Sequence, residues 1–182
     1  MAAALIVIDM LNPYEHEDAD LLMRSAANVS PALAGLIAAA GEAGLLTVYV
    51  NDNHGDWSAG RREIVGRALS GAGRELVEPI VPPSGTPFLV KARHSAFYAT
   101  QLEHLLRERG VERLVLTGQV TEQCILYSAL DAYIRRFDVV VPRDAVAHIH
   151  EDLANSALRM MERNMHARTP RSAAETLAIA VG

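Results

Sequence analysis

Five short runs in this chain are apolar almost from end to end: "ALIVI" at 4–8, "LLTVYV" at 45–50, "PFLV" at 87–90, "RLVLT" at 113–117 and "DVVVP" at 138–142. A strand with one face in water alternates apolar and polar residues, because successive side chains point to opposite faces. Runs without that alternation suit strands covered on both faces, as in a parallel sheet wrapped by helices. Amphipathic segments lie between them, at 20–43, 99–110, 121–136 and 151–166, the second entered at Thr100 and left at Gly110. The expected fold is therefore α/β: a single doubly wound domain over 1–182, with a mostly parallel sheet of five or six strands flanked by helices. The terminal "TLAIAVG" is the expected sixth strand. The stretch 51–86 is rich in Gly, Pro, Ser, Asp and Asn, holds one helical piece around 61–70, and reads as a binding loop or lid.

Several function classes are disfavoured by composition. At 182 residues the chain can bury a real core without staples, and its single cysteine forms no internal disulfide. The opening "MAAALIVIDM" lacks a basic stretch and a cleavage site, so a reducing, cytoplasmic setting is expected. A formal charge of −5 with dispersed basic residues argues against a nucleic-acid partner. The most apolar stretch, "PALAGLIAAAGEAGLLTVYV", is broken by Glu42 and three glycines, so it reads as helix, turn and strand and not as a membrane span.

In a doubly wound sheet the ligand site lies beyond the carboxyl ends of the strands. Three chemically active side chains fall there. Asp9 follows "LIVI" directly, a place suited to catalysis but equally to capping a helix or holding Mg²⁺. Lys91 follows "PFLV", and is a solvated surface group unless an anion draws it inward. Cys124 follows the strand "RLVLT" and the turn at Gly118. With Thr121 as N-cap it occupies the third helical position, where unpaired N–H groups and the helix dipole favour an anion. A thiol there, beside a cation, is expected to have a lowered pKa. The alternative is a buried structural cysteine.

Three blocks together resemble the isochorismatase-like cysteine hydrolases, the superfamily of nicotinamidases, N-carbamoylsarcosine amidases and ureide hydrolases. They are "ALIVIDMLN" at 4–12, "VKARHSAFYATQLEHLL" at 90–106 and "LVLTGQVTEQCILYSALDAYIRRFDVVVPRDAVA" at 114–147. The resemblance implies Asp9, Lys91 and Cys124 as a catalytic triad, acting on an amide or ureide C–N bond of a small molecule through a thioester. It also implies an oxyanion hole from the amides of Val120 and Cys124, a cis peptide between Gln119 and Val120, and a homo-oligomer.

Nicotinamidases of that family hold a metal with an Asp, a His two residues later and a further His. Here Asp52 and His54 have the first spacing, but no histidine occurs between His54 and His94, so no metal and no cofactor is expected. Asn12, Trp57, Ser95, Phe97 and Tyr98 are the candidate substrate contacts, with Tyr14 on the same edge and His94 either a surface residue or a ligand. Vinyl ether hydrolysis, a non-catalytic binding module and a phosphoacceptor domain using Asp9 and Lys91 are the competing readings.

Overall fold

The computed structural model describes residues 1–182. Six parallel strands form the sheet: β1 (Ala3–Ile8), β2 (Leu46–Asp52), β3 (Phe88–Lys91), β4 (Arg113–Gln119), β5 (Asp138–Val140) and β6 (Val146–Ala147). The order is β3-β2-β1-β4-β5, with β6 pairing β4 beyond the end of β5. Every residue of β1 and β4 is buried, including the polar Arg113, Thr117 and Gln119 of β4.

The two faces of the sheet carry separate cores. Ala3, Leu5 and Val7 point to one face, under α1 (Ala19–Glu42), α2 (Arg61–Ser70), α3 (Arg74–Val77) and α7 (Ala173–Val181). Ala4, Ile6 and Ile8 point to the other, under α4 (Leu102–Glu108), α5 (Leu126–Ile134) and α6 (Glu151–Met165). By length and composition α1 is apolar enough to cross a membrane. Its stripe of Leu22, Ala26, Val29, Leu33 and Leu36 is instead buried against the sheet, the arrangement of a core helix.

Two expectations from the sequence need correction. The segment "TLAIAVG" is the body of α7 and not a strand: the Ser172 hydroxyl accepts from the Glu175 N–H at 3.2 Å, and the buried pair Thr176 and Ala180 repeats at helical spacing. The sixth strand is β6, which arises because the run at 138–142 stops at Val140. The chain then turns through Arg143–Ala145 before rejoining β4.

Two buried phenols tie loops to the sheet. The Tyr49 hydroxyl donates to the Ile80 carbonyl at 2.8 Å, and that of Tyr14 donates to Gln119 Oε1 at 3.3 Å. Burial pushes both from 10.0 up to about 12, with Arg61 and Gln119 pulling back less strongly. A raised pKa leaves the stabilisation intact below pH 10 and removes it as pH climbs from 10 to 12. Each tyrosine should thus withdraw about 2–3 kcal/mol of stability across that window. Denaturant titrations at pH 9.5 and 11.5 should show a shallower loss for Tyr49→Phe than for the parent; equal losses would refute the assignment.

Candidate active site

The strand order reverses at β1, whose neighbours are β2 on one side and β4 on the other. A crevice opens at such a switch point, and three strands deliver side chains to it. Asp9 is the residue immediately after β1, at φ 55°, so the chain turns sharply and its carboxylate faces the crevice. Its Oδ1 accepts the Asp52 N–H at 2.7 Å, and its carbonyl accepts Gln119 Nε2 at 2.8 Å.

Lys91 ends β3, two strands away from β1. With strands about 4.8 Å apart, a gap of about 10 Å separates the two backbones, which the long lysine stem and the Asp9 side chain close from opposite ends. Its Nζ lies 2.8 Å from Asp9 Oδ2, 3.5 Å from Asp52 Oδ2 and 3.7 Å from Cys124 Sγ. The side chain is fully buried. Burial alone would depress its pKa, but the neighbouring acidic groups, Asp9 foremost, outweigh that and raise it, so the ammonium form is held.

Cys124 reaches the same point from β4. Gly118, at φ 110°, ends the straight part of the strand beside Ile8, and a Cβ there would sit 2.1 Å from the Ile8 carbonyl oxygen. Only glycine lets the two backbones approach so closely. The Gln119–Val120 peptide is cis. The turn Thr121–Ile125 is π-helical and not α-helical, with the Ile125 N–H donating to the Val120 carbonyl at 3.1 Å. Thr121 does not cap it as the sequence suggested: its hydroxyl donates to the Ala147 carbonyl at 2.8 Å, fastening the turn to β6.

The thiol also behaves differently from the expectation drawn from its position at a helix start. Burial pushes its pKa well above the ordinary value and the adjacent Asp9 carboxylate adds to the shift, while Lys91 and a hydrogen bond from the Val120 N–H oppose it more weakly. The resting sulfur is therefore a thiol, and desolvation beside a carboxylate outweighs the helix terminus.

Asp9, Cys124, Val120 and Asn12 line a cavity of about 360 Å³, together with His16, Glu17, Asp18, Asp52, His54 and His94. A second, larger groove of about 830 Å³ adjoins it, sharing Asp52 and His94. Trp57, 85% exposed, and Tyr98, 60% exposed, line this groove with Arg93. Ser95 and Phe97 line neither cavity, contrary to expectation. The Ser95 hydroxyl donates to Asp131 at 2.5 Å, and Phe97 is buried against Phe137 and beneath Arg135, because the loop turns these two positions into the core. Asn12 borders the small cavity, but its Oδ1 is occupied by the Tyr14 N–H at 2.7 Å. Tyr14 itself is buried in the core.

Asp52 and His54 are engaged within the protein. One oxygen of Asp52 faces Lys91 and the other accepts the His54 N–H at 2.8 Å, while the His54 ring nitrogen lies 3.4 Å from the Leu11 carbonyl. No cluster of three or more His, Cys, Asp or Glu side chains is arranged to hold an ion. One contributor went unread in the sequence. Asn51, buried at the end of β2, grips both the N–H and the carbonyl of Leu11 at 3.0 and 3.1 Å, holding the loop that follows Asp9.

Fold and site together define a class: doubly wound α/β domains in which a carboxylate, an ammonium and a thiol meet at the switch point of a parallel sheet. The isochorismatase domain matches residues 3–173, and the chain belongs to that family. It is 31% identical over 159 residues to the uncharacterized isochorismatase family protein YaaI of Bacillus subtilis, covering 87% of this chain and 88% of that one. It is 31% identical over 157 residues to the maleamate amidohydrolase of Pseudomonas putida, covering 82% and 74%. Its fold is similar to that of the nicotinamidase PncA from Bacillus subtilis, with a TM-score of 0.77 at 29% identity over 94% of this chain and 100% of that one.

Proposed function

We propose that this protein is a thiol-dependent amidohydrolase that cleaves a C–N bond in a small molecule through a thioester on Cys124. The observation that carries the reading is the convergence of Asp9 Oδ2, Lys91 Nζ and Cys124 Sγ, from three strands, within 2.8 and 3.7 Å contacts, with Asp9 and Cys124 lining the small cavity. Similarity to relatives named for amide hydrolysis supports the same reaction class.

The elevated thiol pKa sets the order of events. Because the sulfur rests protonated, it is activated only as it attacks: Asp9 accepts the proton while Sγ bonds to the carbonyl carbon. Lys91 stabilises the single negative charge as it passes from Asp9 to the attacking sulfur, without donating its own proton. In this reading the backbone amides of Val120 and Cys124 donate to the oxyanion. Asp9 then returns the proton to the departing nitrogen, the C–N bond breaks, and the acyl group remains on Cys124 as a thioester that water cleaves.

The two joined cavities divide the substrate. The scissile carbonyl occupies the small one over the thiol, and the rest of the acyl group lies in the groove between Trp57 and Tyr98, within reach of the Arg93 guanidinium. Both rings are exposed, so Trp57→Ala and Tyr98→Ala should leave thermal stability unchanged, within about 0.5 kcal/mol. Each should raise KM for a good substrate several-fold with little change in kcat. A selective loss of kcat at constant KM would move these residues out of ground-state binding. Ammonia release from a panel of primary amides, ureides and carbamoyl compounds tests the function as a whole; a panel without turnover, from protein whose Cys124 is free and reduced, would contradict it.

A further inference from the structure

A thioester mechanism needs two separate proton acceptances, one from the thiol and one from the hydrolytic water, and the two sides of Cys124 differ. On the buried side stands Asp9, with one oxygen bonded to the Asp52 N–H and the other paired with Lys91. On the exposed side stands His94, whose Nδ1 lies 3.8 Å from Sγ. Its ring marks the junction of the small cavity and the larger groove.

His94 is held in place even though it is exposed. The Ser95 hydroxyl donates to Asp131 and the Ala96 N–H donates to Ser128 Oγ at 2.9 Å, so the residues after it are tied to α5. Its ring also packs against Tyr127 from the start of α5, with centroids 5.4 Å apart and planes tilted by 48°. A neutral imidazole at this spot is a proton acceptor on the side from which bulk water enters.

Resting on the thioester reading above, we infer that His94 is a further catalytic residue of this site, a second base that activates the water attacking the acylated Cys124. Water adds its oxygen to the acyl carbon and gives a proton to His94. The tetrahedral intermediate then collapses with cleavage of the C–S bond, and the proton passes from the imidazolium to the departing sulfur. The acid product leaves and the thiol is restored. Asp9 serves the first half of the cycle and His94 the second.

The test uses p-nitrophenyl acetate, whose leaving group departs without protonation, so that acylation is fast and deacylation is isolated. In the parent protein nitrophenolate should appear in a burst followed by steady turnover. In His94→Gln the burst should remain near one equivalent per site, which also counts folded, acylatable protein. Steady turnover should fall by about 10²–10⁴-fold, the usual range for loss of a general base. Hydroxylamine, a nucleophile that needs no activation, should restore turnover of the variant far more than that of the parent. A steady rate unchanged in His94→Gln, or a burst and steady rate that fall in equal proportion, would overturn the assignment to deacylation. A parent burst that survives in Cys124→Ala would instead overturn the thioester reading itself, so the two failures are distinct.

Discussion

Cys124→Ala is expected to lower turnover of any amide this protein hydrolyses by about 10⁴–10⁶-fold, the scale on which the loss of a nucleophile is felt when the rest of a site remains. The fold should persist. The contacts of the sulfur to Lys91 at 3.7 Å and His94 at 3.8 Å are long, and the Asp9–Lys91 pair at 2.8 Å does not depend on it. Removing a thiol also removes a buried ionisable group, so thermal midpoints should move little. Residual activity, if measurable, would come from the Val120 amide and from binding. Purified variant that retains a substantial part of the parent rate would exclude Cys124 as nucleophile, whatever its position.

Lys91→Met should harm both stability and chemistry. The ammonium has no solvent-exposed surface, and the side chain of its partner Asp9 is only 9% exposed. Removing one member of such a buried pair leaves the other charge uncompensated, at a cost of about 3–5 kcal/mol. Methionine approximates the length of the stem but offers no proton and no charge. Lys91 is also the charge that works against the upward shift of the Cys124 pKa, so its loss should push the thiol higher still. Iodoacetamide should then alkylate the variant more slowly than the parent at neutral pH, with the onset of reactivity displaced toward alkaline pH. A variant as stable as the parent, alkylated with the same pH profile, would show that the ammonium neither balances Asp9 nor governs the sulfur.

Most of the sheet was legible because burial on both faces leaves a direct trace in sequence. The runs at 4–8, 45–50, 87–90 and 113–117 became β1 to β4 with bounds shifted by a residue or two. Asp9 and Lys91 were legible for a related reason, since a polar residue ending an apolar run marks the point where a strand leaves the core. The C-terminus was misread through weighing apolar content over spacing. Ser172 and Glu175 stand three apart, the signature of a helix start, and the structure uses both: Ser172 Oγ accepts the Glu175 N–H while Glu175 Oε2 accepts the Arg171 N–H. Ser95 and Phe97 lie close to Lys91 in sequence, but proximity does not reveal which side of a loop faces the cavity. The thiol pKa was misjudged because position in a helix is visible in sequence and desolvation is not. His94 lies three residues beyond Lys91, and nothing in the sequence places its ring beside a sulfur thirty residues away.

The central claim is a covalent one, and it is tested most directly by acid-quenching the protein during turnover of an amide found in the ammonia-release panel and weighing the intact chain. A mass increase equal to the acyl group, carried on the peptide containing Cys124 and missing from Cys124→Ala, is the predicted result. Turnover that proceeds with no acyl adduct on Cys124 at any quench time, in parent and His94→Gln alike, would contradict it.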